Sequence, residues 1–322
     1  MNKSRLKGVA AVVLASMCYG VTPILTNIAL KGGLPLDFAR RIFGEGAPSF
    51  LTASSETAIP NESVVMLGML LGCLISLITA LISKKGKLLL DVKPKALLSM
   101  TLLGGGTFAA TMLLISYAYR FMEPGSVIVL HFSYPVIACA AAALFFGERF
   151  TVYKAAAAVF AAAGIYLVSG FCGADSFVGP LLALLSAFAY AAYFLLGKHS
   201  AYADVDSSVS GVYITLGAAA AAFVAALVSG RLALPSNAFL WLVLAMSGLI
   251  GYLIGLRLLL YGIKVLGSGT AAMLNTLEPV MATLSSIAVF GESMGLMKGL
   301  GCALVLLGTI ITAFGSLKQQ TQ

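Results

Sequence analysis

Between Lys264 and Glu292 the only charged residue is Glu278, fourteen positions from each. At the centre of a membrane-spanning helix a charged side chain costs about 2.5–3.5 kcal/mol on insertion scales, so it faces a cavity or a partner. A carboxyl placed there suits proton coupling or recognition of a cation; the plainer reading is a neutral carboxyl hydrogen-bonded to a neighbouring helix. Pro279 follows directly. An interior proline removes the bond to the carbonyl four residues earlier, here that of Asn275. Asn275 and Glu278, three apart, share a helix face. One side-chain amide, one carboxyl and one freed carbonyl therefore converge.

The same arrangement occurs earlier in the chain. Pro135 frees the carbonyl of His131, and His131 and Tyr134 stand where Asn275 and Glu278 stand in the later copy. A histidine, with a reference pKa of about 6.5, suits proton sensing; within a helix it also serves as an ordinary hydrogen-bonding residue. Two broken helices would bring His131, Tyr134, Asn275 and Glu278 towards one centre. Packing kinks at crossed helices are the plainer account of the prolines. Tyr19, Tyr190 and Tyr252, with Ser16, Asn27, Thr107, Thr111 and Tyr193, are weaker candidates for a polar path. Arg257 reads as a snorkelling cation or as an anion-recognising group at the inner mouth. Few other basic residues lie in apolar sequence, which disfavours phosphorylated solutes.

The elements that position these residues follow from scarcity of charge. The 322 residues carry 20 Lys or Arg and 12 Asp or Glu, and mean hydropathy is +1.00. Nine uncharged runs (8–30, 64–83, 96–119, 124–147, 155–174, 176–197, 207–230, 232–256 and 299–317) have the length of a spanning helix. The stretch 265–291 makes a tenth. The composition excludes a nucleic-acid binder, a disulfide-stapled secreted domain and a soluble enzyme. Cys18, Cys73, Cys139, Cys172 and Cys302 are scattered singly, as packing residues rather than a disulfide framework or a zinc site. No cofactor and no metal are expected. The basic start and the run after it form a first helix, not a signal peptide.

An internal repeat organises the runs. Sliding the chain by 144 places Gly104 on Gly248, Tyr117 on Tyr261 and Pro135 on Pro279; Phe146-Gly147-Glu148 then falls on Phe290-Gly291-Glu292. Gly8 and Tyr19 fall on Gly179 and Tyr190 at an offset of 171, so 27 extra residues lie in the first half, visible as the polar stretch 36–62. The division is 1–174 and 175–322, five helices each, and an odd number per repeat inverts the second half. Glu148 and Glu292 are expected to cap the helices that follow them. The loop at 84–95 holds five lysines and its counterpart only Arg231, as equivalent loops on opposite faces should. With the N-terminus inside, thirteen Lys or Arg fall inside and six outside, which predicts both termini cytoplasmic in the cytoplasmic membrane.

The 5+5 plan, with Tyr134-Pro135 to Phe146-Gly147-Glu148 and Leu277-Glu278-Pro279 to Phe290-Gly291-Glu292, resembles the EamA-type drug/metabolite transporters. The resemblance covers both halves except the insertion at 36–62, where the family has a short outer loop. It implies import or export of small polar metabolites. The expected protein is thus all-α: ten transmembrane helices in two inverted repeats, moving a small organic solute such as an amino acid by alternating access, with substrate recognition or proton coupling at Glu278 and His131. Its partners are the solute and the lipid bilayer, not nucleic acid. A membrane-embedded enzyme would need a fuller catalytic set than one deep His and one deep Glu; a non-transporting scaffold is the other rival.

Overall fold

The computed structural model describes residues 3–46, 48–52, 54, 56–83, 86–118, 121, 124–169, 177–290 and 295–318. Arg120, Cys172, Gly291, Glu292 and the expected boundary at 174 lie outside the described residues. The chain is helical: α1 (Lys3–Leu30), α2 (Leu36–Phe43), α3 (Asn61–Ile82), α4 (Gly86–Leu90), α5 (Pro94–Ala118), α6 (Pro124–His131) and α7 (Tyr134–Phe146). Then come α8 (Val152–Ser169), α9 (Val178–His199), α10 (Ser207–Val228), α11 (Ala238–Leu266), α12 (Ser268–Leu274), α13 (Glu278–Phe290) and α14 (Leu296–Lys318). Among the described residues, seven helices are long and apolar enough to cross a membrane. These are α1, α3, α5, α9, α10, α11 and the stretch Ser268–Val289; the apolar helices in α7, α8 and α14 are shorter. Leu14, Ile78, Leu102, Phe188 and Val224 point outward along them, an apolar belt that fits a lipid surround.

Most helix starts lie where expected. One end moves: the eighth run stops at Arg257, but α11 continues to Leu266. A charge does not stop a helix; a backbone change does. Here Gly267 takes φ 90°, a left-handed conformation that glycine adopts without strain. Helices α5 and α11 each contain a widened π-helical stretch, Ser99–Gly104 and Gly248–Gly255; under the 144-residue offset they share one position, Gly104 with Gly248. The insertion is not all loop. It holds the short helix α2 and a 3-10 turn at Ser49–Leu51, drawn back by Leu34 N donating to Leu51 O at 2.7 Å.

Packing exchanges between the halves. Helix α1 lies against α11 and α13, and α9 lies against α5 and α7; α3 packs on α10, and α8 on α14. Sliding one half onto the other turns each of the first two pairings into its counterpart. The breaks at α6/α7 and α12/α13 therefore meet first helices from the opposite half.

Candidate functional site

The two prolines act where the spacing places them. Helix α6 ends at His131, and α7 restarts at Tyr134 with Pro135 in its first turn, where a missing N–H costs nothing. Between α12 and α13 the residues Asn275–Leu277 form a 3-10 turn. That turn corrects one expectation: the Asn275 carbonyl is not left open, because Glu278 N–H, three residues on, donates to it. Tightening from α to 3-10 moves the bond from the missing Pro279 donor to the residue before it. A cavity of about 150 Å³ lies beside both breaks, with Phe132, Ser133, Pro135, Met273 and Thr276 in its wall.

Asn275 is the hub. Its Nδ2 donates to Tyr134 Oη at 3.0 Å and to Glu278 Oε2 at 3.1 Å, and Ser16 Oγ donates to its Oδ1 at 3.0 Å. One buried carboxamide thus ties α1, α7 and the start of α13 together. Three of the four residues expected at one centre are joined directly. His131 joins through rings, its imidazole centred 5.4 Å from the Tyr134 ring and stacked at 5.6 Å on Tyr190.

The histidine's protonation pattern follows from its partner. His131 Nδ1 is 2.9 Å from Ser186 Oγ, and Ser186 Oγ donates its one hydrogen to Ala183 O at 2.6 Å. A carbonyl has no proton to give, so Nδ1 is the donor to Ser186. In the neutral ring Nε2 is then the acceptor.

Aromatic rings form the wall. Tyr134 and Tyr190 meet edge-on at 4.6 Å, Phe194 stacks on Tyr134 at 5.6 Å, and Tyr193 stacks on Tyr190 at 6.0 Å. Phe108 carries the series on to Tyr252. Glu278 lies within electrostatic reach of the hydroxyls of Tyr19, Tyr134 and Tyr190. It keeps accessible surface, whereas Asn275, Tyr134 and Tyr190 are buried. Among the described residues no cation forms an ion pair with it, and the buried Tyr19 Oη and Tyr193 Oη have no hydrogen-bond partner. No group of three or more His, Cys, Asp or Glu that could hold a metal occurs among the described residues.

The EamA-like transporter family profile matches residues 46–170 and 177–314, most of the chain. The chain belongs to the EamA-like transporter family. It is a multi-pass membrane protein of a family of small-solute transporters. A solved crystal structure superposes with a TM-score of 0.74 over 99% of each chain at 17% identity, a likeness of fold. No curated protein matches the chain.

In this EamA-like chain Arg257 stands apart from the aromatic cluster. Its Nη2 donates to Ser76 O at 3.1 Å and Thr79 Oγ1 at 3.0 Å, tethering α11 to α3. The two ends of the bundle carry polar ties of their own. Glu148 does cap a helix, but not the following one: it accepts from Ser268 N at 3.0 Å, Ser268 Oγ at 2.7 Å and Gly269 N at 3.3 Å, the start of α12. His199 Nε2 lies 3.0 Å from the same carboxylate and Lys154 Nζ 4.0 Å. Burial works against that charge, yet the bonds from Ser268 and His199 and the charge of Lys154 outweigh it, holding Glu148 below the usual carboxylate range. At the other end Tyr117 Oη donates to Glu62 Oε1 at 2.9 Å, and Arg231 lies 3.8 Å from that oxygen.

Ser186, Phe194, Phe108 and Phe132 belong to the cluster and were not read from sequence as site residues. A signal existed for two of them. Ser186, Tyr190 and Phe194 recur every four residues along α9, one stripe of one helix. Phe108 and Phe132 had no such mark, since phenylalanine in an apolar helix is ordinary lipid-facing or packing material. Among the described cysteines, Cys18, Cys73, Cys139 and Cys302 are free.

Proposed function

We propose that this chain carries a small organic solute across the cytoplasmic membrane by alternating access. Ten crossings form two inverted five-helix repeats, 1–174 and 175–322, with α6/α7 and α12/α13 each making one broken crossing and both termini cytoplasmic. The exchange of packing partners between halves supports the pairing of two equivalent repeats. Glu278 is the exchange group: its carboxyl holds either a proton or the solute as the halves rock about the central cluster. One observation carries this reading. A half-buried glutamate without an ion-pair partner among the described residues sits at a helix break, tied through Asn275 to Tyr134 of the opposite half. Opening the bundle at either end requires the halves to move past that junction, so the state of the carboxyl and the state of the gate are linked.

Proteoliposomes with an internal pH-sensitive dye test it, with amines, amino acids, nucleobases and sugars added outside under an imposed pH gradient. The wild type should move protons with at least one solute class. Glu278→Gln should bind the solute poorly or exchange it without proton movement. A variant with unchanged pH dependence refutes Glu278 as the coupling group.

A further inference from the structure

The geometry points to an organic cation, an amine or quaternary ammonium with an apolar body, as the solute of the central cluster. This rests on reading that cluster as the transport site, and it names the solute class that the transport reading leaves open.

Charge is the first argument. The cluster offers one carboxyl, Glu278, and among the described residues no cation pairs with it. Four basic groups of the described bundle hold other partners. Arg257 holds Ser76 and Thr79, Lys154 donates to Arg149 O at 3.0 Å, Lys198 donates to Lys264 O at 2.6 Å, and Lys264 donates to Val205 O. A solute carboxylate or phosphate would meet no cation here, and an anion brought beside Glu278 would be repelled. A single positive charge instead gains the partner that the carboxyl lacks.

The walls are the second argument. Aromatic faces carry negative potential and attract ammonium groups within about 6 Å of the ring centre. Tyr134, Tyr190 and Phe194 stand mutually within 5.6 Å, with Tyr19 beside the same carboxyl. The buried Tyr19 Oη lacks a hydrogen-bond partner among the described residues and can accept from an ammonium N–H. A polyhydroxylated solute would want a dense set of polar groups, and this wall is mostly ring carbon. The combination of one carboxyl and several tyrosine faces selects for charge and apolar bulk together.

Calorimetry on the purified full-length protein decides the matter, using benzyltrimethylammonium, its uncharged carbon isostere neopentylbenzene, and the anion phenylacetate. The ammonium should bind at least about tenfold tighter than the isostere, since only its charge differs. Glu278→Gln should weaken the ammonium by about tenfold or more and leave the isostere unchanged. Tyr190→Phe, which keeps the ring face, should retain the affinity that Tyr190→Leu loses. Equal affinity for ammonium and isostere, preference for the anion, or no ammonium binding overturns the inference; that comparison needs only wild type, so a poorly folding variant does not obscure it. Flux separates the two readings. An ammonium that binds but does not itself cross the liposome membrane refutes transport and upholds the cation site, whereas pH-driven flux of an uncharged or anionic solute refutes the cation class and upholds transport.

Discussion

Removing the Asn275 side chain should loosen the junction between the halves by a calculable amount. Asn275→Ala deletes three hydrogen bonds, to Ser16, Tyr134 and Glu278. Two of these, to Ser16 and Tyr134, run between the halves; interhelical hydrogen bonds in a membrane protein average about 0.6 kcal/mol each by double-mutant cycle, so together they contribute about 1.2 kcal/mol. The losses are unequal. Ser16 Oγ keeps the Val12 carbonyl at 2.9 Å, whereas the buried Tyr134 Oη loses the amide donor. The informative quantity is therefore the coupling between Asn275→Ala and Tyr134→Phe, measured by reversible unfolding in mixed micelles. A coupling of about 0.6 kcal/mol, and no more than about 1.7 kcal/mol, is expected. If the two changes are additive within about 0.3 kcal/mol, the amide does not hold Tyr134 and the contact between α7 and the break at Asn275 rests on packing alone. The reasoning about linked gating would then fail with it.

Two further outcomes follow from the ends and the crossings of the bundle. Glu148 is held below its unfolded-state value, so the stability it contributes is present above that value, about 4.3, and lost as pH falls through the folded one. Glu148→Gln should lower the unfolding midpoint at pH 7 and flatten the decline below about pH 4; equal acid slopes in variant and wild type would show that the carboxylate is not the acid-sensitive tie. Adjacent glycines should respond oppositely to one methyl group. A Cβ on Gly105 would stand 2.8 Å from the backbone of α10, while one on Gly106 meets nothing within 4 Å. Gly105→Ala should destabilise by about 1–3 kcal/mol, and Gly106→Ala should be neutral or stabilising by up to about 1 kcal/mol. Thermal melts of the two variants check this, and equal effects would refute the close α5–α10 crossing.

The helical plan was legible because charge in a membrane chain is confined to loops and ends, so uncharged length reads directly as helix. The exceptions have local causes. Arg257 and Lys264 sit inside α11 because their long side chains reach carbonyls and hydroxyls on neighbouring helices, and only Gly267 ends the helix. Gly267 also makes room for Glu148, whose Oε2 would lie 2.9 Å from a Cβ at that position. Nothing in the sequence pairs residues 148 and 268. The cap was readable as a carboxylate after a glycine, but its recipient was not, since helix order along the chain does not state which helix ends meet.

The centre divides in the same way. Sequence alone determined that Glu278 and His131 are deep, that prolines break both helices and that the halves repeat, because each of these is a matter of residue type and spacing along one chain. Only the tertiary structure decided that the amide of Asn275, rather than a freed carbonyl, joins the halves. It also decided that tyrosines from α1, α7 and α9 surround the carboxyl and that Arg257 is spent on α3. Those are facts of approach between helices far apart in the chain, and hydrophobic spacing, which selects a face, does not select the side chain that meets it.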